Sequence, residues 1–120
     1  MFLDTRTKIV SLHEIQERLQ NRPARWLSGH FDPLLAEHVQ RLTQAREPGS
    51  LLVVEITNPA RPLLPQRARA ELVAALAVVD YVVLSDGEPT ADDDIGRRFI
   101  ERVLERHDRL APKNGQALRR

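Results

Sequence analysis

The chain has 120 residues, of which 42% are apolar and 29% are charged, a composition typical of one folded domain. A net charge of +1 and only one Trp, one Tyr and three Phe provide neither the basic nor the stacking surface that binds nucleic acid, so we expect no nucleic-acid partner. The absence of cysteine excludes disulfides and thiolate sites, and no apolar run is long enough to span a membrane.

The N-terminal segment has charged residues where a signal peptide would have its apolar core. These are Asp4, Arg6 and Lys8, and we therefore expect a cytoplasmic protein with no membrane partner. Residues 1–110 are predicted to form a single α/β domain. The segment Ala111–Arg120 is polar and contains proline and glycine, which predicts a flexible tail.

The first half of the chain predicts two helices and one strand. Residues 11–14 read Ser-Leu-His-Glu, a capping box that opens a helix to about residue 21 with positions 12, 15 and 19 on its buried face. The segment Arg25–Ser28 predicts a short strand. Pro33 is expected to be the first residue of a helix that runs to about Arg46 and buries Leu42 together with residues 34 or 35 and 38 or 39.

The second half predicts two strands and two helices. Leu51–Thr57 is rich in β-branched residues and reads as a covered strand, and residues 58–64 form a loop with two prolines. A helix from Pro65 is expected to bury positions 72, 73 and 76. It is followed by a strand over Asp80–Leu84, a turn over 85–90, and a helix led by residues 92–94 that buries positions 95, 99, 103 and 104.

Strands that alternate with helices indicate parallel βαβ units. In such sheets the ligand crevice lies beyond the carboxyl ends of the strands. The loops 29–32, 58–64 and 85–90 all follow strands and should meet at that edge. The topology therefore predicts a site formed by these three loops.

The segment 29–38 reads Gly-His-Phe-Asp-Pro-Leu-Leu-Ala-Glu-His. It resembles the signature Gly-x-Phe-Asp-x-x-His-x-Gly-His of the cytidylyltransferase-like nucleotidyltransferases. Leu35 stands in place of the first signature histidine, and Glu37 stands in place of the signature glycine. The resemblance implies a three-layer Rossmann-like half-fold with about three parallel strands in the order 3-2-1, flanked by helices.

Three further segments are similar to heptose-phosphate adenylyltransferase domains, and the resemblance extends over about two-thirds of the chain. They are Lys8–Leu12, the pair Arg61-Pro62 followed by Arg69–Leu72, and Val79–Val83. In these domains and in glycerol-3-phosphate cytidylyltransferases, a nucleoside triphosphate (CTP or ATP) is joined to a sugar or polyol phosphate, and pyrophosphate is released with Mg²⁺ present. The resemblance implies nucleotide or phosphate binding by Gly29, His30, Phe31, Asp32, His38, Arg61 and Arg69, and a catalytic role for His38 if the protein is active.

Several departures from the family favour impaired catalysis. Only one signature histidine remains, and loss of one donor to a transition-state oxyanion typically lowers the rate about 10²–10³-fold. A lysine-bearing segment of the family is missing after the second strand, and no later strands or closing segment follow, which suggests a truncated member. We expect a degenerate nucleotidyltransferase-like protein with weak nucleotide or phosphate binding. The alternatives are an active transferase and a non-enzymatic interaction module.

The individual site residues also allow structural explanations. His38 either contacts a phosphate or packs near the core, and His30 is expected to face solvent. Asp32 is expected to cap the helix that starts at Pro33. Surface salt bridges are the ordinary role for Arg61 and Arg69. The acidic residues at positions 86, 88 and 92–94 do not fit an EF-hand loop, so no metal site is predicted there.

The strand Arg25–Ser28 is expected to lie at an edge of the sheet if the order 3-2-1 holds. An edge strand exposes unpaired N–H and C=O groups, which favour pairing with another chain. Trp26 and Leu27 lie on opposite faces of this strand and both need burial. We therefore expect a homodimer, or a hetero-partner, at this side of the sheet.

Overall fold

Four parallel strands form one sheet in the computed structural model, which describes residues 3–91 and 93–110. The strand order is β1-β4-β3-β2. The strands are β1 (Ile9–Val10), β2 (Ala24–Gly29), β3 (Leu51–Ile56) and β4 (Tyr81–Leu84). The helices are α1 (Leu12–Leu19), α2 (Ala36–Ala45), α3 (Gln66–Ala74) and α4 (Asp94–Leu110), and a 3₁₀ turn at Thr5–Lys8 precedes β1.

The α/β class and the parallel sheet are confirmed, and the three predicted strands are neighbours in the expected order. The sheet has one strand more than expected. Ile9 and Val10 of β1 pair with Val82 and Val83 of β4. A strand of two residues is too short to show the periodicity by which strands are recognised in a sequence.

Helices cover both faces of the sheet, as the three-layer prediction requires. On one face Leu52, Val54 and Ile56 of β3 pack in the cluster that contains Leu42 of α2 and Val73 of α3. On the other face Val53 of β3 packs with Ile15 of α1. Coverage of both faces explains why β3 reads as an almost continuous apolar run.

The capping box of α1 is present as predicted. Ser11 Oγ accepts a hydrogen bond from the Glu14 amide at 3.0 Å, and the helix ends where Gln20 adopts a left-handed φ of 48°. Ile15 is fully buried, but Leu12 is 56% exposed and does not belong to the buried face. Leu12 is the first residue of α1.

The predicted start of α2 is wrong by three residues. Pro33 lies in a turn, Leu35 has extended backbone at the N-cap position, and α2 begins at Ala36. The Leu35 amide donates to Nδ1 of His38 at 3.0 Å, so a side chain one turn into the helix takes over the capping role.

The predicted buried faces of the last two helices need correction. In α3 the buried positions are Arg69, Ala70, Val73 and Ala74, whereas Leu72 is 46% exposed. In α4 Ile95 is buried, but Val103 and Leu104 are exposed because they lie beyond the first two turns, which make the contacts with α2 and the cavity.

β2 lies at an edge, since β3 is its only strand neighbour among the described residues. Trp26 of this strand is 45% exposed. The predicted tail, Ala111–Arg120, lies outside the described residues. None of the helices in the described part of the chain is long and apolar enough to cross a membrane.

Candidate functional site

A cavity of about 420 Å³ lies at the carboxyl edge of the sheet. Its walls come from the loops after β2 and β3, from the segment after β4, from the first turn of α2 and from the first two turns of α4. Five of the predicted site residues line it, namely His30, Phe31, Asp32, His38 and Arg61. Gly29 and Arg69 are not among its lining residues.

Gly29 gives space to the ring of Phe31. A Cβ at position 29 would lie 2.8 Å from Cε2 of Phe31, closer than real Cβ contacts. Phe31 itself has a left-handed φ of 49° and is 5% exposed, and its ring meets His38 edge-on with 5.1 Å between ring centroids. The signature glycine therefore permits a strained, buried aromatic residue beside the cavity.

His30 is buried, contrary to the expected exposure to solvent; only 6% of it is exposed. Its Nε2 lies 3.0 Å from the carbonyl oxygen of Thr90, and its Nδ1 lies 2.8 Å from Oγ1 of Thr57. Because the carbonyl can only accept, Nε2 donates, and Nδ1 accepts from the Thr57 hydroxyl. These contacts join the loop after β2 to the residue that follows β3 and to the segment before α4.

Asp32 does not cap a helix. Its carboxylate accepts hydrogen bonds from the amides of Leu63 and Leu64, at 2.6 and 2.8 Å. Asp32 thereby fixes the loop after β3 against the signature loop. The expected capping role was wrong because α2 starts four residues after Asp32.

Arg69 is 1% exposed, which excludes the surface salt bridge expected for it. It donates to the carbonyl oxygens of His30, Thr57 and Leu64 and to Oδ1 of Asn58, at 2.7 to 3.0 Å. Burial lowers the pKa of its guanidinium, and the charge of Asp32 acts in the opposite direction. Arg69 thus holds together the loops that form the cavity.

Arg61 is an exposed cation at the cavity. It makes no ion pair with the residues that the structure describes. It is available to an anionic ligand in the cavity.

His38 is 3% exposed, and both of its ring nitrogens are engaged. Nδ1 accepts from the Leu35 amide at 3.0 Å, so Nε2 carries the proton and donates to Oδ2 of Asp93 at 3.2 Å. Burial lowers the pKa of the imidazole, and Asp93 opposes that effect. In this arrangement His38 is neutral and cannot act as a general base.

The start of α4 is attached to the start of α2 by two side-chain pairs. Asp93 bonds His38, and its Oδ1 also accepts from the Gly96 amide at 2.6 Å, which caps α4. Arg98 Nη2 donates to Oε2 of Glu37 at 2.8 Å. The residue that replaces the signature glycine and the surviving signature histidine therefore both contact α4.

No group of three His, Asp or Glu side chains in residues 3–91 and 93–110 is placed to hold a metal ion. Asp94, the acidic first residue of α4, pairs with Arg97 of the same helix at 2.8 Å. Asp92 lies outside the described residues.

No family model matches the chain. The chain is similar to part of proteins named bifunctional protein HldE. It is 37% identical to that of Syntrophotalea carbinolica over 79 residues, which is 58% of this chain and 16% of that protein. It is 30% identical to that of Geobacter sulfurreducens over 129 aligned positions, which is 84% of this chain and 26% of that protein. The protein of Helicobacter pylori is 34% identical over 89 residues, 67% of this chain and 19% of that protein.

The chain thus spans about a sixth to a quarter of the length of these relatives. Their similarity supports the resemblance to the cytidylyltransferase-like nucleotidyltransferase superfamily.

Proposed function

We propose that the chain is a nucleotidyltransferase-like domain that binds a nucleotide or another phosphate-bearing ligand weakly in the cavity and is impaired in catalysis. The observation that carries the proposal is the cavity itself. It brings His30, Phe31, Asp32 and His38 of the signature together with Arg61 from the next loop. The carboxyl edge of a parallel sheet is the usual ligand site of such folds.

The charges around the cavity are suited to a weak anion site. Arg61 supplies an exposed positive charge, and Nε2 of His38 is a hydrogen-bond donor. Two backbone amides already bind the carboxylate of Asp32, which offsets its repulsion of an anion. Asp93 remains as a negative charge next to His38.

The proposal of impaired catalysis depends on positions 35 and 37. Leu35 has no side-chain donor where the family has its first histidine, and a missing oxyanion donor typically lowers the rate about 10²–10³-fold. Glu37 adds a carboxylate where the family has a glycine, and that carboxylate pairs with Arg98. The first change removes a hydrogen-bond donor to a reacting phosphate, and the second adds a negative charge near it.

The alternative is an active transferase that joins CTP or ATP to a sugar or polyol phosphate and releases pyrophosphate. The described residues do not fit a protein-held Mg²⁺, since no three carboxylates or imidazoles converge and both oxygens of Asp32 accept amides. A pyrophosphate-release assay with each nucleotide and glycerol 3-phosphate separates the two possibilities. Release by the unaltered chain, lost in the variant His38→Ala, would overturn the proposed impairment.

Ligand binding is tested by thermal unfolding with CTP, ATP and pyrophosphate, each with and without Mg²⁺. A ligand at 100 times its dissociation constant stabilises the protein by about 2.7 kcal/mol. Arg61→Gln should weaken the stabilisation, whereas Arg67→Gln should not, because Arg67 pairs with Glu71 on α3. If no ligand stabilises the protein at millimolar concentration, the binding proposal is wrong.

A second candidate function, an interaction module, is favoured by the free edge of β2. Trp26 is 45% exposed on this strand, and the backbone groups on its outer side have no strand partner in the described part of the chain. A second copy of the chain, or another protein, could pair with this edge.

A further inference from the structure

We propose that the segment 93–98, which caps and begins α4, is an intramolecular plug that competes with the ligand for His38 and leaves when the ligand binds. The proposal rests on the ligand site proposed above and describes how that site is regulated. The central observation is that a carboxylate of the same chain, Asp93, takes the hydrogen bond of His38 Nε2 inside the cavity.

The carboxylate of Asp93 stands where an anionic ligand would interact. Since Nδ1 of His38 is held by the Leu35 amide, Nε2 is the one nitrogen that could donate to a phosphate oxygen, and Asp93 occupies it. A phosphate placed beside this carboxylate would also meet a like charge at short distance. Ligand binding at His38 therefore requires Asp93 to leave.

A second pair fastens the same segment. Arg98, five residues after Asp93, reaches Glu37 at 2.8 Å, and Glu37 is directly beside His38 in sequence. The pair is half-exposed, and exposed ion pairs are weak. The Arg98–Glu37 pair can therefore break at low cost when a ligand binds.

The whole of α4 is only lightly attached. Ile95, in its first turn, is the one buried residue among those whose side chains are described, and residues 101–106 are all exposed. The preceding segment 86–91 is exposed as well. An element with few buried apolar contacts opens at low free energy compared with the core.

The closed plug lowers the apparent affinity of the site. If the open state makes up about a tenth of the molecules, the apparent dissociation constant is about tenfold weaker than the intrinsic one. Opening the plug by substitution should recover about that factor.

Two variants and one matched control test the plug. Arg98→Glu replaces the attraction to Glu37 by repulsion, and Asp93→Asn removes the charge beside His38 while keeping a good N-cap residue. Arg97→Glu is the control for Arg98→Glu. It makes the same charge change one residue earlier, but Arg97 pairs with Asp94 within α4, so this variant does not break the attachment to α2. Affinity for CTP, ATP and pyrophosphate is measured by calorimetry, and hydrogen exchange is followed in the α4 amides.

We expect Arg98→Glu and Asp93→Asn to bind about tenfold more tightly than Arg97→Glu, and the bound ligand to lower the protection of the first turn of α4. If all three variants bind the probe with equal affinity, or if the ligand increases the hydrogen-exchange protection of the first turn of α4, the plug proposal is wrong. The proposed ligand site would not be affected by that result. If neither the unaltered chain nor any variant binds a probe, the ligand site itself is wrong and the plug fails with it.

Discussion

Arg69 Nη1 donates a hydrogen bond to the main-chain carbonyl oxygen of His30, 39 residues earlier in the chain, at 3.0 Å. The same guanidinium bonds Thr57 and Asn58 at the end of β3. One buried cation thus fixes the loops after two neighbouring strands, and the shape of the cavity depends on it.

Replacement of Arg69 by Ala should destabilise the fold strongly. The change leaves buried carbonyl oxygens without a donor, and each hydrogen bond to a charged group contributes about 1.5–3 kcal/mol, so we expect a total loss of about 3 kcal/mol or more. Urea unfolding measures it. Arg67→Ala, on the same helix but in an exposed pair with Glu71, should change the free energy of unfolding by less than about 1 kcal/mol. Similar losses in both variants would contradict the role of Arg69.

Gly29→Ala should destabilise the domain, because the new Cβ would lie 2.8 Å from the ring of Phe31. Overpacking of this kind costs about 1–3 kcal/mol. Gly87→Ala is the matched control, since a Cβ there would have only Ser85 Oγ nearby, at 3.5 Å. Thermal unfolding of both variants checks the prediction, and an equally small change in both would show that Phe31 adjusts freely.

The free energy of unfolding should decrease as the pH falls below about 6.5, the ordinary pKa of histidine. Burial holds the pKa of His38 below that value in the folded state. Asp93, which caps α4, and Glu37 on α2 act to raise this pKa, and Arg41 on α2 acts to lower it further. The unfolded chain therefore binds the proton first, and stability is complete only above the unfolded pKa.

Urea unfolding at pH 7.5 and pH 5.5 tests this dependence. His38→Asn cannot titrate but keeps an acceptor for the Leu35 amide, so its stability should fall less on acidification. His13→Gln, which removes a histidine whose side chain is 83% exposed, is the matched control, and its effect on the pH dependence should be smaller than that of His38→Asn. If His38→Asn loses as much unfolding free energy between pH 7.5 and pH 5.5 as the unaltered chain, groups other than His38 cause the pH dependence.

The free edge of β2 predicts self-association that depends on Trp26. Sedimentation velocity at concentrations up to about 100 μM, which corresponds to a free energy of about 5–6 kcal/mol, should show a dimer that Trp26→Ala weakens. Leu72→Ala on α3 is the control, because Leu72 is 46% exposed and Trp26 is 45% exposed. This variant should leave the dimer intact. A chain that stays monomeric throughout would exclude the homodimer and leave only a hetero-partner for this edge.

Local patterns predicted the frame of the domain well. The box Ser11–Glu14 starts α1, and the apolar run from Leu51 forms β3, because each depends on neighbours within one turn or one strand. The expectation that the loops after the strands meet in one site follows from parallel topology, and the cavity agrees with it.

The contacts inside the site could not be predicted in the same way. Asp32 bonds amides 31 and 32 residues later, and His38 meets Asp93 across 55 residues. A sequence shows that an acidic residue precedes a helix, but it does not show which distant amide or imidazole will lie within hydrogen-bond distance of it. The burial of His30 was missed for the same reason, since its partners Thr57 and Thr90 come from other elements.

The central claim is that a phosphate-bearing ligand binds in the cavity at His38. The most direct measurement is the nitrogen NMR spectrum of the histidine side chains during titration with CTP, ATP and pyrophosphate, with the exposed His13 as the internal reference. We expect the Nε2 resonance of His38 to move in a saturable way while that of His13 stays in place. An unchanged His38 resonance at about 10 mM ligand, a concentration that fills most of a site of millimolar affinity, would contradict the claim.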